Sequence, residues 1–225
     1  MGFFSTVIEW NEQGNEDLIF WKWDDSEIKR GSRLVIKAGQ DAIFLANGKI
    51  EGIFKDEGIY DIESDITPFL STLKGFKFGF RSGMRAEILF VNTKEFTVKW
   101  GTFNPVYIKT PQFEGGIPIR AHGTFNCKVS DYIDLIDKVA GINSDYRVED
   151  IRDRVVSELS PLLMKWISAE GKDIFNLQEN SEAISKGIRE DLDMKMRIDG
   201  ITITRFNVQS FSYPDNIWEK MNSGK

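Results

Sequence analysis

The first half of the chain is a series of short apolar runs separated by turn residues. Leu18-Ile19-Phe20-Trp21-Lys22-Trp23 is brief and aromatic, and Arg33-Leu34-Val35-Ile36 follows a Lys-Arg-Gly turn. Asp41–Ala46 and Lys49–Phe54 flank Asn47-Gly48. An Asn-Gly pair between two apolar runs predicts a tight hairpin, because both central residues of such a turn take positive φ. Gly58–Ile62 and Glu87–Val91 read as further strands. Glu95–Trp100 alternates apolar and polar residues, so one of its faces is expected in water. Pro111–Pro118 reads as a Gly/Pro loop, and Ile119–Val129 as a long strand.

The period then changes from two to about 3.6. Asp131–Val139 places Tyr132, Leu135, Ile136 and Val139 at helical spacing, and Gly141 stops the pattern. A longer helix is expected after Ser144-Asp145, either of which suits an N-cap, with Ile151, Val155, Leu159, Leu162, Leu163 and Trp166 on its apolar face. Pro161 lies inside that pattern and is expected to kink or split it, and Gly171 ends the unit. Asn176 with Glu179 reads as a capping box for the next helix, whose buried face carries Ile184, Ile188, Leu192 and Met196 before Gly200. Ile201–Val208 alternates strictly, so the chain returns to a strand, and Pro214 opens a last short helix over about 215–221.

Strands, then helices, then a strand imply an α+β fold: a β-rich antiparallel first half, then a strand–helices–strand second half. The expected division is a soft one near residue 115. It separates an N-terminal aromatic segment (1–17) and a β-rich part (18–115) from a mixed part (116–214) and a short tail (215–225).

Composition narrows the function classes. With 225 residues, 41% hydrophobic and 28% charged, the chain has the makeup of an ordinary globular protein. Its net charge of −6 offers no basic footprint for neutralising phosphates, so no nucleic-acid partner is expected. Cys127 is the one cysteine, which excludes an internal disulfide and fits a reducing compartment. Met1–Trp10 lacks a basic n-region and a long apolar run, and no stretch reaches the roughly 18 apolar residues of a spanning helix.

Several passages together resemble the SPFH family of stomatin, prohibitin, flotillin and band 7 proteins. They are Ile36-Lys37-Ala38-Gly39-Gln40-Asp41-Ala42-Ile43-Phe44, then Asn47-Gly48-Lys49, Gly58-Ile59-Tyr60 and Asn92–Val98. Gly123–Asp131, Gly200–Ile203 and Pro214 complete the order, so the likeness runs from about Trp21 to Pro214. Among its branches, the chain is most similar to bacterial virion-core-like proteins that work with phage-shock-type membrane proteins. The resemblance implies a non-enzymatic scaffold at the cytoplasmic face of the cell membrane, with membrane-stress proteins as partners and self-association in prospect. It differs from stomatins, which carry a membrane hairpin or span, from flotillins with their coiled-coil tail, and from members with a Cys-rich zinc tail. Either the oligomerising and metal-binding parts lie in segments outside these residues, or the protein lacks them.

Candidate chemistry is sparse. His122 is the only histidine, and Cys127 lies five residues along the same strand, so their side chains are expected on opposite faces. One His and one Cys do not make a zinc site, and Asp24-Asp25, Asp134/Asp137 and Glu149-Asp150-Asp153 fit no calcium loop. Gly115-Gly116 lacks the following Lys-Ser/Thr of a phosphate cradle. No cofactor, metal or catalytic group is therefore expected. Trp21 and Trp23 share one strand face and read as core.

The most suggestive local feature is the N-terminus, where Phe3, Phe4, Val7, Ile8 and Trp10 form a short apolar wedge suited to a lipid interface or a partner. Packing of the same residues on the domain is the alternative. Met1-Gly2-Phe3-Phe4-Ser5-Thr6 also fits a myristoylation pattern, although that modification needs a eukaryotic enzyme and the resemblance is to bacterial proteins. Two other functions stay open: a hydrolase with a close pair of carboxylates, and a purely structural oligomer unit.

Overall fold

β-Branched and aromatic runs form strands throughout the first unit, and helical periodicity enters after the long central strand. The computed structural model describes residues 6–23, 31–46, 49–66, 87–110, 113–140, 145–170, 174–215 and 217. The chain divides into two compact units, Met1–Lys94 with Tyr132–Arg147, and Glu95–Asp131 with Val148–Lys225. The division thus falls earlier than residue 115 and is crossed more than once. Residues 95–115 join the second unit because their strands pair there, and 132–147 return to the first.

The first unit holds two sheets. One has the order β1 (Val7–Glu9), β3 (Arg33–Ile36), β6 (Gly58–Asp61). Its β1 runs parallel to β3, with Val7, Ile8 and Glu9 opposite Arg33, Leu34 and Val35. The other has the order β11 (Asp145–Arg147), β2 (Leu18–Trp23), β7 (Glu87–Asn92), β4 (Gln40–Ala46), β5 (Lys49–Phe54), antiparallel throughout. Ala46 pairs with Lys49, so β4 and β5 are antiparallel neighbours, and the expected Asn47-Gly48 turn between them lies outside the described residues.

The sheets share one core, built from Ile8, Trp10, Leu34 and Ile36 on one side and Phe44, Ile88 and Phe90 on the other. Trp21 and Trp23 pack against it, as expected. Fully burying each large apolar side chain contributes about 1.5–3 kcal/mol. Helix α1 (Tyr132–Leu135) continues into a π turn, Ile136–Ala140, and buries Leu135, Ile136 and Val139.

The second unit is organised by β10 (Phe113–Val129), which pairs with β8 (Phe96–Gly101), β9 (Val106–Thr110) and β12 (Ile201–Ser212). The expected loop at 111–118 is therefore shorter. A shift of register between Phe113 and Ile117 absorbs the two glycines, Gly116 taking φ 78°. Pro118 pairs with Tyr107 of β9, before the β12 pairing begins at Arg120, and such an edge position tolerates a missing N–H.

Helix α2 (Val148–Glu170) runs unbroken through Pro161. The residue whose carbonyl loses its donor, Ser157, is exposed, as is Pro161, so the missing hydrogen bond falls on the solvent side of the helix, where it costs least. Helix α3 (Ser181–Met196) begins later than Asn176 predicts. Asn176 sits at φ −127°, ψ 41° inside a preceding 3-10 stretch, Ile174–Asn180, so the expected capping box does not start the helix. Ile184, Ile188, Leu192 and Met196 form its buried face, and a 3-10 turn ends at left-handed Gly200. Of the last expected helix only Asp215 and Ile217 are described.

Candidate functional site

β1 is three residues long, and alternation sends its side chains to opposite faces. Ile8 is 0% exposed and the adjoining Trp10 2%, both in the core of the first unit. The expected docking role is thus corrected for these two: they are foundation rather than wedge, because parallel pairing with β3 turns Ile8 toward Leu34 and Ile36. Val7 points the other way and is 55% exposed. Phe3 and Phe4 lie outside the described residues.

The outward face continues across the sheet. Glu9, Val35 and Ile59 make one cross-strand row, and Val7, Arg33 and Asp61 the next. Ile59 is 69% exposed, although its neighbour Tyr60 packs on the core. With strands about 4.8 Å apart, three of them span about 10 Å. Val35 and Ile59 are neighbours on this face and Val7 lies diagonally from Val35, with Glu9, Arg33 and Asp61 in the remaining positions, a shallow apolar diagonal among charges that suits lying on an interface.

Polar contacts hold this segment in place. The Arg33 N–H donates to the Thr6 carbonyl at 3.0 Å, and Lys37 Nζ to the Trp10 carbonyl at 3.1 Å. Glu12 accepts from Gln40 Nε2 and from Lys94 Nζ, both at 2.6 Å. Burial raises the Glu12 pKa, but the hydrogen bonds from Lys94 and Gln40 and the nearby lysine charges outweigh it and hold the carboxyl below its usual range.

Elsewhere in the first unit, the Tyr132 hydroxyl donates to Asp41 Oδ2, and Lys55 lies 5.4 Å from the centre of the Tyr132 ring. Burial pushes the Asp41 carboxyl up, only partly countered by the Tyr132 hydrogen bond and the Lys55 charge.

The second unit keeps His122 and Cys127 apart, His122 exposed and Cys127 fully buried, as their odd spacing predicts. Burial pushes the Cys127 thiol up to about 12, so it stays protonated and is a poor nucleophile. Among the described residues of this unit are two grooves of similar size. One of about 400 Å³ lies between α3 and β12 and contains Glu182 as its only carboxylate. The other, of about 390 Å³, is lined by Pro105, Tyr107, Pro118, Arg120, Ser212, Tyr213 and Pro214 and contains none. Neither holds the carboxylate pair a hydrolase of the expected kind needs. Among the described residues, no three His, Cys, Asp or Glu side chains converge as metal ligands.

The family model described as SPFH domain-Band 7 family matches residues 20–225. The chain belongs to the SPFH/band 7 family. It is also 61% identical over 221 residues to the uncharacterized protein YdjI of Bacillus subtilis, covering 96% of this chain and 68% of that protein. The SPFH family is one of membrane-associated scaffold proteins, generally without enzymatic activity. Among the described residues of this SPFH chain, no helix is long and apolar enough to cross a membrane.

Two features escape a reading of strand-like runs alone. Ile59 looks like interior, and only its phase relative to Tyr60 betrays that it faces out. Residues 67–86, outside the described ones, carry Phe69, Phe76, Phe78 and Phe80 among Lys74, Lys77, Arg81 and Arg85, with no Asp or Glu. In a chain of net charge −6, that composition is itself a signal.

Proposed function

We propose that this chain is a peripheral scaffold unit at the cytoplasmic face of the cell membrane. The observation that carries this reading is the outward strip of Val7, Val35 and Ile59, on a sheet whose other face is core. Phe3 and Phe4 immediately precede it in sequence, and the basic, phenylalanine-rich run 67–86 adds the composition that anionic lipid surfaces attract. Membership of a family of membrane-associated scaffolds supports it.

The scaffold's partners in this reading are membrane-stress proteins of the phage-shock type, a choice that rests on the family resemblance alone. Self-association is proposed as well, on the same family resemblance. The long outer edge of β12 is already engaged: the N–H groups of Ile203 and Val208 donate to Asp193 Oδ1 and Ser185 Oγ, both at 2.9 Å, and the Gln209 carbonyl accepts from Gln178.

Membrane fractionation of a bacterial host producing the tagged chain tests the proposal, with pull-down from the membrane fraction. Truncation has to stop before Thr6, because Ile8 and Trp10 are core. The expected result is a membrane-bound pool that shrinks when residues 1–5 are removed or Ile59→Asp is introduced. An entirely cytosolic chain contradicts it.

A further inference from the structure

The second unit carries a concentration of positive charge that the scaffold reading does not use. In the groove of about 400 Å³, Lys186 and Arg189 come from α3 and Arg205 from β12, with Ser181, Thr204 and Asn207 beside them. Lys186 and Arg189 are three residues apart and so share one helix face. Glu182 is the one acid in the lining. The nearest carboxylate to Arg189 is Glu190, at 3.8 Å, and Lys186 and Arg205 make no ion pair among the described residues.

Exposed lysines and arginines are commonly just solvated, so their presence alone decides nothing. Here three of them line one groove with a single carboxylate among them, in a chain whose net charge is −6. The walls are held in register, since the Val208 N–H on β12 donates to Ser185 Oγ on α3. Thr204, also in the lining, has a buried hydroxyl with no hydrogen-bond partner. Arginine forks, a lysine and neutral donors together are the set that grips tetrahedral phosphate oxygens. The volume falls in the range of small-ligand sites, above what a lone inorganic ion fills.

We propose that the groove between α3 and β12 binds a phosphate-bearing anion, as a free phosphate ester or as the headgroup of an acidic phospholipid. The site is independent of the Val7–Ile59 strip. Its test is a titration of the intact chain with sn-glycerol 3-phosphate at constant ionic strength, against chloride, reading the amide NMR shifts of Ser185, Arg205 and Val208. A second arm uses phosphatidylglycerol vesicles.

The double variant Lys186→Ala/Arg205→Ala is expected to weaken binding roughly tenfold, the size of two exposed charge contacts. Glu182→Gln is expected to tighten it. Binding of the ester alone assigns a soluble ligand. Vesicle binding that the folded Lys186→Ala/Arg205→Ala variant weakens assigns a headgroup. Loss of vesicle binding in Val7→Asp/Ile59→Asp with ester binding intact separates this groove from the docking strip. No saturable shift with either probe, or binding that the folded double variant fully retains, overturns the proposal.

Discussion

Trp166 on α2 lies so close to Gly187 on α3 that a β-carbon at Gly187 would fall 2.3 Å from the indole Cδ2. Two effects compete at this position. Helix propensity alone favours alanine over glycine by about 1 kcal/mol. The indole, however, is tethered: its Nε1–H donates to Asp191 Oδ2 at 2.7 Å, and Lys165 sits 4.9 Å from the ring centre. It cannot yield without breaking those contacts. Gly187→Ala is expected to destabilise by about 1–3 kcal/mol, the usual range for overpacking. Thermal unfolding checks this, and Trp166→Ala is expected to cost less in the Gly187→Ala background than in the wild type, the signature of a steric coupling between the two.

Gly123 presents a harder obstacle. A β-carbon there would meet the Asn207 carbonyl oxygen at 1.9 Å, on the strand that pairs with it. Backbone cannot rotate away as a side chain can, so Gly123→Ala requires β10 and β12 to separate locally. The expected cost is about 2 kcal/mol or more. Gly115, where a β-carbon meets nothing within 4 Å, is the control. Urea denaturation of the two alanine variants should show a lowered midpoint for Gly123→Ala and little change for Gly115→Ala.

Asp193 links α3 to β12. Its Oδ1 accepts from Thr202 Oγ1 at 2.6 Å and from the Ile203 N–H at 2.9 Å, and its Oδ2 from Arg197 Nε at 2.9 Å. Burial raises its pKa, but those hydrogen bonds and the Arg197 charge outweigh it and leave the carboxyl below its ordinary value. A depressed carboxyl stabilises the fold fully above the unfolded pKa of about 3.9 and loses that contribution as pH falls toward the folded value. Asp193→Asn is expected to cost about 1–2 kcal/mol at pH 7. That deficit should shrink as the pH of the unfolding measurement is lowered from the unfolded value through the depressed native one, where the wild-type carboxyl itself takes up its proton.

The two faces of β1 should respond in opposite ways. Trp10→Ala empties a core position and is expected to destabilise by about 3–5 kcal/mol. Val7→Asp alters an exposed position, with an expected change within about 0.5 kcal/mol. Chemical denaturation of both variants checks the assignment of foundation and face.

The order of strands and helices was legible wherever periodicity was local. Leu18–Trp23, Arg33–Ile36 and the hairpin around Asn47-Gly48 stand where their side-chain patterns place them. β1 was not legible, because three residues are too short for a pattern and its partner β3 is distant in sequence. Asp145 resembles a helix cap, yet Asp145–Arg147 pairs with Phe20 and its neighbours, a tertiary choice that local preference does not reveal. The site was visible only as a cluster of apolar residues. Which of them face out depends on the pairing of β1, β3 and β6.

Vesicle flotation tests the central claim most directly. The intact chain is mixed with phosphatidylcholine vesicles containing phosphatidylglycerol and spun through a density gradient, beside the variant Val7→Asp/Ile59→Asp. The account predicts that the intact chain floats with the vesicles and the folded variant stays largely at the bottom. An intact chain that remains at the bottom, or a variant that floats equally well, contradicts a membrane-docking face on this sheet.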